Sequence, residues 1–278
     1  MQYFFLTLIF LFGAALGSFI AVIADRYNTG LPFFKGRSIC FSCNTQLQNK
    51  NLIPVFSFLF LRGRCRYCQS KIPKEAFFVE IIMGALSLLA ALKSGFLISD
   101  FSLLSAVYYL LLTAVFATIL LISVYDLKHF IIPDSFLISL SVFSFLCLSI
   151  FPSFNFSFIF PNLLSAIVLA LPFLLIFLIS KGAWFGFGDV KYILVLGFLL
   201  GFVQGLSAIV LSFWIGAVFS LLAFSLRCLK PHIKLPLLRN NFTIKSEIPF
   251  GPFLSLGTII SFYLNADLFQ IHSLFNIL

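Results

Sequence analysis

The amino-acid sequence predicts an all-α, polytopic membrane protein with about eight transmembrane helices and a small cytoplasmic zinc-binding loop. Its 278 residues are 61% hydrophobic and 10% charged, and the mean hydropathy is +1.12, a balance that a water-soluble domain does not have. Apolar runs of about 17 to 22 residues recur, each long enough to cross the roughly 30 Å hydrocarbon layer as a helix. Near the N-terminus, two cysteine pairs interrupt this pattern.

The apolar runs divide the chain into a first helix, a loop and a large helical core. The first run has no basic residue before it and is longer than the apolar core of a signal peptide, so we interpret it as a retained helix. The predicted segments are a transmembrane helix at 1–24, a tetracysteine loop at 25–75 and a seven-helix core at 76–278. The eight predicted spans are 3–24, 76–92, 101–124, 135–151, 162–180, 190–203, 206–226 and 248–264.

The basic residues predict the orientation in the membrane, because short loops rich in lysine and arginine stay in the cytoplasm. Nine of the 18 lie in the tetracysteine loop, five lie in the 227–247 loop, and Lys128, Lys181 and Lys191 flank the loops between them. With an external N-terminus and eight spans, all of these are cytoplasmic, and Lys93 alone is external. The net charge of +9 then reflects topology and contact with anionic lipid. No basic groove interleaved with aromatic residues predicts binding of nucleic acid. The basic residues of the two loops are Arg26, Lys35, Arg37, Lys50, Arg62, Arg64, Arg66, Lys71, Lys74, Arg227, Lys230, Lys234, Arg239 and Lys245.

The cysteine pairs predict one structural zinc ion. Two residues separate Cys40 from Cys43, two separate Cys65 from Cys68, and a spacer of 21 residues separates the pairs. This spacing is typical of a zinc ribbon, in which two tight knuckles supply four thiolates to a tetrahedral metal. Disulfides are the alternative, but they rarely persist in the reducing cytoplasm. Four thiolates leave the zinc no vacant position for catalysis. The remaining cysteines, Cys147 and Cys228, are expected to be ordinary small residues in or beside apolar spans.

Two aspartates at membrane edges are candidate catalytic residues. Charged groups near a bilayer are costly, and the sequence has nine acidic residues in all. Asp126 ends the third predicted span and Asp189 opens the sixth, so both face the same compartment. Each precedes a lysine by two positions, and each lies beside backbone breakers, which are Pro133 for the first and Gly186 and Gly188 for the second. The glycines would let another backbone segment approach the carboxylate closely.

Two aspartates brought together in a low-dielectric site cannot both ionise readily, so one keeps its proton. The ionised partner can then remove a proton from water while the protonated one hydrogen-bonds the scissile carbonyl, which is amide hydrolysis without a metal. The alternative is that each aspartate caps a helix or pairs with a nearby lysine. Asp134 is better placed as the N-cap of the fourth span. For Glu80, a buried polar bridge and a second-site role both stay open.

The chain resembles the type IV prepilin leader peptidase/N-methyltransferase family, membrane aspartic proteases of the GxGD type. The resemblance extends over nearly the whole length and includes the four cysteines. Its other motifs are GSFIAVIADR at 17–26, IPVFSFLFLRGRCRYC at 53–68, VEIIMGAL at 79–86, DLKHFIIPD at 126–134, GFGDVK at 186–191 and IPFGPFLSLG at 248–257. Two positions depart from the family pattern: Ala21 stands where asparagine is usual, and Tyr192 stands where leucine is more common.

The resemblance implies an activity, its substrates and its catalytic residues. The two catalytic aspartates of the family map onto Asp126 and Asp189. The family cleaves the basic leader of type IV prepilins and pseudopilins at the cytoplasmic face of the bacterial inner membrane. It then methylates the new N-terminus with S-adenosylmethionine. Members without the cysteine loop are generally peptidases only, so this chain resembles the bifunctional form. We further expect the zinc-stapled loop to act as a lid that holds the new amino group near the methyl donor.

Two rival functions make different demands on the sequence. An ion-coupled transporter would also use intramembrane carboxylates in glycine-broken helices, but it predicts acids near mid-membrane and inverted repeats, and neither is evident. A membrane-anchored zinc-ribbon interaction module would explain the cysteines but leave Asp126 and Asp189 without a role. A membrane aspartic endopeptidase accounts for both features.

Overall fold

The computed structural model describes residues 2–30, 32–33, 38–40, 42–48, 52–96, 102–150, 156–229 and 248–269. Within these ranges the regular elements are helices, together with two isolated antiparallel bridges. The predicted all-α class is therefore confirmed. The helices are α1 (Gln2–Arg26), α2 (Phe56–Phe60), α3 (Lys74–Lys93), α4 (Leu103–His129), α5 (Asp134–Ile150), α6 (Phe156–Ser180), α7 (Phe187–Leu229) and α8 (Gly251–Leu264).

Five of the described helices, α1, α3, α4, α6 and α7, are long and apolar enough to cross a membrane, and α5 and α8 are shorter apolar helices. These correspond to the predicted spans, with ends shifted by a few residues. The short helix α2, within the tetracysteine loop, was not predicted. Several basic residues used to predict topology lie outside the described residues, and the side chains of Arg227 and Cys228 are not described either. These basic residues are Lys35, Arg37, Lys50, Lys230, Lys234, Arg239 and Lys245.

Helix α7 contains the sixth and seventh predicted spans in one run of 43 residues that reverses direction at Gly201. Gly201 has φ 73° and ψ −176°, a conformation that residues with a Cβ rarely adopt. A Cβ built on Gly205 would lie 3.6 Å from the Cα of Gly197, although a straight helix separates these positions by about 12 Å. The two halves therefore run side by side. The predicted break at 203–206 lies two residues beyond the observed one.

The chain forms two compact units, Met1–Val124 and Tyr125–Leu278. In the first, α1 packs closely on α3: a Cβ at Gly17 would lie 2.7 Å from the Cα of Glu80, so a larger residue would separate the helices. In the second, α7 contacts α5, α6 and α8. The boundary lies inside α4. The divisions at 24 and 75 that the sequence suggests stay a prediction.

Candidate functional site

Asp126 lies in the last turn of α4, where its side chain is 4% exposed. The helix ends three residues later, and Phe130 then adopts a left-handed conformation with φ 58° while its N–H donates to the carbonyl of Asp126 at 2.8 Å. The chain continues through Ile132 and Pro133, both buried, into α5. Asp126 therefore lies at a helix end that is packed inside the second unit.

Asp189 lies in the first turn of α7 and is half-buried. The two glycines before it allow close approaches, as predicted. A Cβ on Gly188 would lie 3.2 Å from the Cβ of Ile132, and one on Gly186 would lie 3.1 Å from Oδ2 of Asp189. The start of α7 therefore packs against the segment that follows Asp126.

Asp126 and Asp189 line the same cavity, whose volume is about 220 Å³, and their carboxyl groups are close enough to interact electrostatically. We call these two residues the aspartate pair. The pair was singled out from the sequence by membrane topology, and the structure brings it together within the second unit. The cavity is lined by Asp126, Phe130, Ile131, Ile132, Asp134, Gly186, Gly188, Asp189 and Lys191.

The backbone N–H of Gly251 donates to Oδ2 of Asp126 at 3.0 Å. Gly251 is the first residue of α8, so its N–H is the first donor that this helix end offers. The next residue, Pro252, has no N–H. A helix N-terminus stabilises negative charge placed against it. A Cβ on Gly251 would lie 2.6 Å from the same oxygen, so glycine permits this contact. No role for Gly251 was predicted, because no local spacing in the sequence reveals a partner 125 residues away.

The lysine beside Asp189 pairs with another aspartate. Nζ of Lys191 lies 2.7 Å from Oδ1 of Asp134 and 4.6 Å from the ring centre of Phe187. The alternative in which Asp189 pairs with a nearby lysine is therefore not supported for Lys191, whose ammonium group pairs with Asp134. The prediction of Asp134 as a helix N-cap is wrong by one position: Pro133 precedes α5 and its carbonyl accepts the first backbone bonds, while Asp134 is the first residue of the helix and its carboxylate takes part in this ion pair.

The four cysteines of the tetracysteine loop form two knuckles with the same backbone pattern. In the first, the N–H of Asn44 donates to the carbonyl of Cys40, and the N–H of Cys40 donates to the carbonyl of Thr45. In the second, Gln69 and Ser70 make the same two bonds with Cys65. Asn44 and Gln69 both have positive φ, of 53° and 60°. This repeat brings all four Sγ atoms within 4.8 Å of one another.

The cysteine cluster fits a tetrahedral zinc ion. Thiolates about 2.3 Å from zinc at tetrahedral angles are separated by about 3.8 Å, and Sγ of Cys40 lies 3.8 Å from Sγ of Cys68. Backbone N–H groups of Cys43 and Ser42 lower the pKa of the Cys40 thiol from 9.0 to about 6, which favours the thiolate that binds metal. Compatibility with a four-thiolate zinc site, predicted from the cysteine spacing, is confirmed.

Glu80 forms a buried polar bridge, which was one of its two predicted roles. It is 8% exposed on α3, and its Oε2 accepts the N–H of Val55 at 2.7 Å. Val55 precedes α2 and has φ 63° and ψ −52°, a conformation that is strained for a β-branched residue. The carboxylate therefore holds a strained backbone segment of the tetracysteine loop on α3.

Two family models match the chain: the bacterial peptidase A24 N-terminal domain over residues 11–94 and the type IV leader peptidase family over residues 112–221. The chain belongs to the prepilin leader peptidase/N-methyltransferase family. Three relatives, all named prepilin leader peptidase/N-methyltransferase, cover most of the chain. That of Bacillus subtilis (strain 168) is 28% identical over 94% of this chain and 95% of its own. Those of Aeromonas salmonicida (strain A449) and Aeromonas hydrophila are 28% and 29% identical, each over 91% of this chain and 88% of their own. No solved structure matches.

The family assignment agrees with the two sites. The N-terminal family model includes all four cysteines, and the peptidase model includes both Asp126 and Asp189. Gly251 lies outside both matched ranges. None of these observations favours the transporter alternative.

Proposed function

We propose that this chain is a membrane aspartic endopeptidase that removes the basic leader of type IV prepilins or pseudopilins and then N-methylates the new N-terminal residue. The observation that supports the peptidase half is the aspartate pair on one cavity of about 220 Å³. The second half, and the prepilin substrates, follow from the names of the relatives.

In the proposed hydrolysis, Asp126 is the base, because the N–H of Gly251 and the N-terminus of α8 stabilise its negative charge. Asp126 takes a proton from water as the water oxygen attacks the scissile carbonyl carbon. Asp189 donates a proton to the carbonyl oxygen. When the tetrahedral intermediate collapses, the C–N bond breaks, Asp126 passes its proton to the leaving amine, and Asp189 recovers the proton from the hydroxyl.

The methyl donor in this proposal is S-adenosylmethionine, and no residue of the chain is assigned to it. When bound, this donor would supply the methyl group that the new amine nitrogen accepts as that nitrogen loses a proton. Cys40, Cys43, Cys65 and Cys68 would hold a structural zinc. The role of their loop as a lid over the new N-terminus stays a prediction.

We place the protein in the bacterial inner membrane, with the N-terminus outside and with the zinc loop and the aspartate pair on the cytoplasmic side. The helices of membrane-spanning length and the lopsided distribution of basic residues support this orientation. A prepilin would then arrive as an apolar helix whose scissile bond lies where the membrane meets the cytoplasm. Because that face is itself basic, recognition of a basic leader would depend on local shape, hydrogen bonds and anionic lipid.

The test uses the full chain in lipid vesicles and a synthetic prepilin with a basic leader. Asp126→Asn and Asp189→Asn keep the side-chain size but remove the acid–base chemistry, so leader release should fall by about 10³-fold or more in each. Asp267→Asn is the matched control, since Asp267 lies beyond the opposite end of α8, about 21 Å along the helix from Gly251. The assignment would be wrong if either variant kept a tenth of wild-type cleavage while remaining inserted.

A further inference from the structure

Tyr192 has a polar side chain that is buried among apolar helices, so its hydroxyl needs a hydrogen-bond partner inside the protein. It lies one turn after Asp189 on α7, and its side chain is 0% exposed. Burying a hydroxyl costs free energy unless it has a hydrogen-bond partner.

The partner is Ser255 on α8, whose Oγ lies 2.7 Å from the phenol oxygen. Ser255 is itself 3% exposed. Its hydroxyl donates to the carbonyl of Gly251, one turn earlier, at 2.9 Å. A hydroxyl has one donor and two acceptor positions. Because the donor of Ser255 is used by Gly251, the bond between the two side chains runs from the phenol O–H to the serine oxygen.

This chain of bonds ends at the aspartate pair. Gly251 accepts from Ser255 through its carbonyl and donates to Asp126 through its N–H. Its Cα is packed so closely on the carboxylate that a Cβ would lie 2.6 Å from Oδ2. A small shift or rotation of α8 would therefore move the donor away from Asp126.

We propose that Tyr192 is a positioning residue for leader cleavage: through Ser255 it fixes the N-terminus of α8 so that Gly251 meets Asp126. This inference rests on the proposed function. Asp189 and Tyr192 are three positions apart and share one face of α7. Helix α7 therefore carries Asp189 and, through Tyr192, also positions the Gly251 N–H that donates to Asp126. The two carboxyl groups are thereby held at one relative position.

A second buried tyrosine–serine pair provides a matched control. In the first unit, Tyr109 is 6% exposed, and its hydroxyl lies 2.8 Å from Oγ of the fully buried Ser87. Ser87 donates to the carbonyl of Ile9, at 3.1 Å. Like Tyr192 and Ser255, this pair joins neighbouring helices. The hydrogen bonds described for it end at the carbonyl of Ile9 on α1, which is not a carboxylate.

The experiment measures steady-state cleavage of the synthetic prepilin by the full chain in lipid vesicles. Tyr192→Phe keeps the ring and removes the hydroxyl. We expect kcat to fall about threefold to tenfold, the effect of one net hydrogen bond, with KM unchanged within about twofold. Tyr109→Phe should leave both constants within about twofold. Thermal unfolding should show a similar, small loss of stability for both variants, which separates positioning from general packing.

Ser255→Ala breaks the same connection from the other side and keeps the proposal testable if Tyr192→Phe folds poorly. A variant that carries both Tyr192→Phe and Ser255→Ala should have the kcat of the less active single variant, because the two substitutions remove the same contact. Independent, multiplicative losses, or wild-type kcat in Tyr192→Phe, would overturn the proposal. If Asp126→Asn or Asp189→Asn remains active, the proposed function itself fails. If those variants are inactive and Tyr192→Phe is not impaired, only the positioning role is wrong.

Discussion

The cysteine cluster and the aspartate pair are built in opposite ways. The cluster joins residues no more than 28 positions apart, and each knuckle is closed by backbone bonds within a few residues. The aspartate pair depends on helix packing, and the donor to Asp126 comes from a residue 125 positions away. A loop of this size builds little apolar core of its own, so we expect it to depend on bound metal, whereas the second site depends on the packing of α4, α7 and α8.

This difference implies that the two sites can be damaged separately. A substitution that removes metal should act first on the loop, and one that disturbs helix packing should act first on cleavage. The predictions below test this separation in order of decreasing effect.

The largest effect is expected when Cys40, Cys43, Cys65 and Cys68 are all changed to serine. Zinc content should fall from about one ion per chain to none. Because the loop then loses its metal staple, N-methylation should fall at least as much as leader cleavage. Elemental analysis and mass spectrometry of the processed pilin measure the two quantities.

Cys147→Ser is the control for this substitution, since Cys147 is buried on α5 and lies outside the cluster. It should keep its zinc. A chelator should reduce leader cleavage only to the extent that it removes zinc from the loop, because the aspartate mechanism uses no metal. Full methylation by the zinc-free quadruple variant would show that the loop is not needed for that step, and unchanged zinc in that variant would exclude the cluster as the metal site.

A smaller effect on one activity is expected from Gly251→Ala. The added Cβ would lie 2.6 Å from Oδ2 of Asp126, so either the carboxylate or α8 must move. A displacement of about 1 Å can reduce a rate by about 100-fold, and we expect a loss of this order in kcat. Cleavage kinetics measure it, and zinc content should stay at the wild-type value.

Gly216→Ala provides the comparison, because a Cβ there would meet the ring of Phe253 at 3.5 Å, an ordinary contact distance. Its kcat should stay close to that of the wild type. Equal kinetics for the two alanine variants would mean that the contact between Gly251 and Asp126 has no part in cleavage.

The smallest effect is expected from Glu80→Gln, which keeps the size of the side chain but replaces a charged acceptor of the Val55 N–H with a neutral one. Hydrogen bonds to charged groups are stronger by roughly 1 kcal/mol, so local opening around α2 should become easier by about that free energy. Hydrogen exchange of the Val55 amide measures the change. Glu75→Gln, in the exposed first turn of the same helix, should leave that amide unaffected, and equal exchange in both variants would contradict the bridge.

The sequence predicted those features that depend on short spacings or on continuous apolar runs. Cysteine spacing was sufficient for the cluster because each knuckle is a local turn. The helices were predicted from hydropathy, with α7 correctly divided in two but at 203–206 instead of Gly201. The predicted break included the polar residue Gln204, whereas the chain reverses at Gly201, three residues earlier, where glycine permits the positive φ.

For the aspartate pair, the sequence could predict only that both residues lie at the same face of the membrane. Topology indicates the side of the membrane but not whether two residues are in contact. The bond from Gly251 to Asp126 and that from Val55 to Glu80 join segments remote in sequence, and both donors are backbone N–H groups, whose partners the residue types do not indicate. Sequence spacing also left open a pairing of Lys191 with Asp189, whereas in the fold Lys191 pairs with Asp134.

The reversal at Gly201 has a consequence for how the protein is made. The segment from Phe187 to Leu226 is 40 residues long and largely apolar, which is enough for two short crossings of a membrane. A single glycine with φ 73° favours two. If the nascent chain crossed only once, every later residue would emerge in the opposite compartment, and Gly251 would be synthesised on the wrong side of the bilayer from Asp126. The reversal at Gly201 therefore returns the chain toward the side of Asp126, where Gly251 donates to its carboxylate.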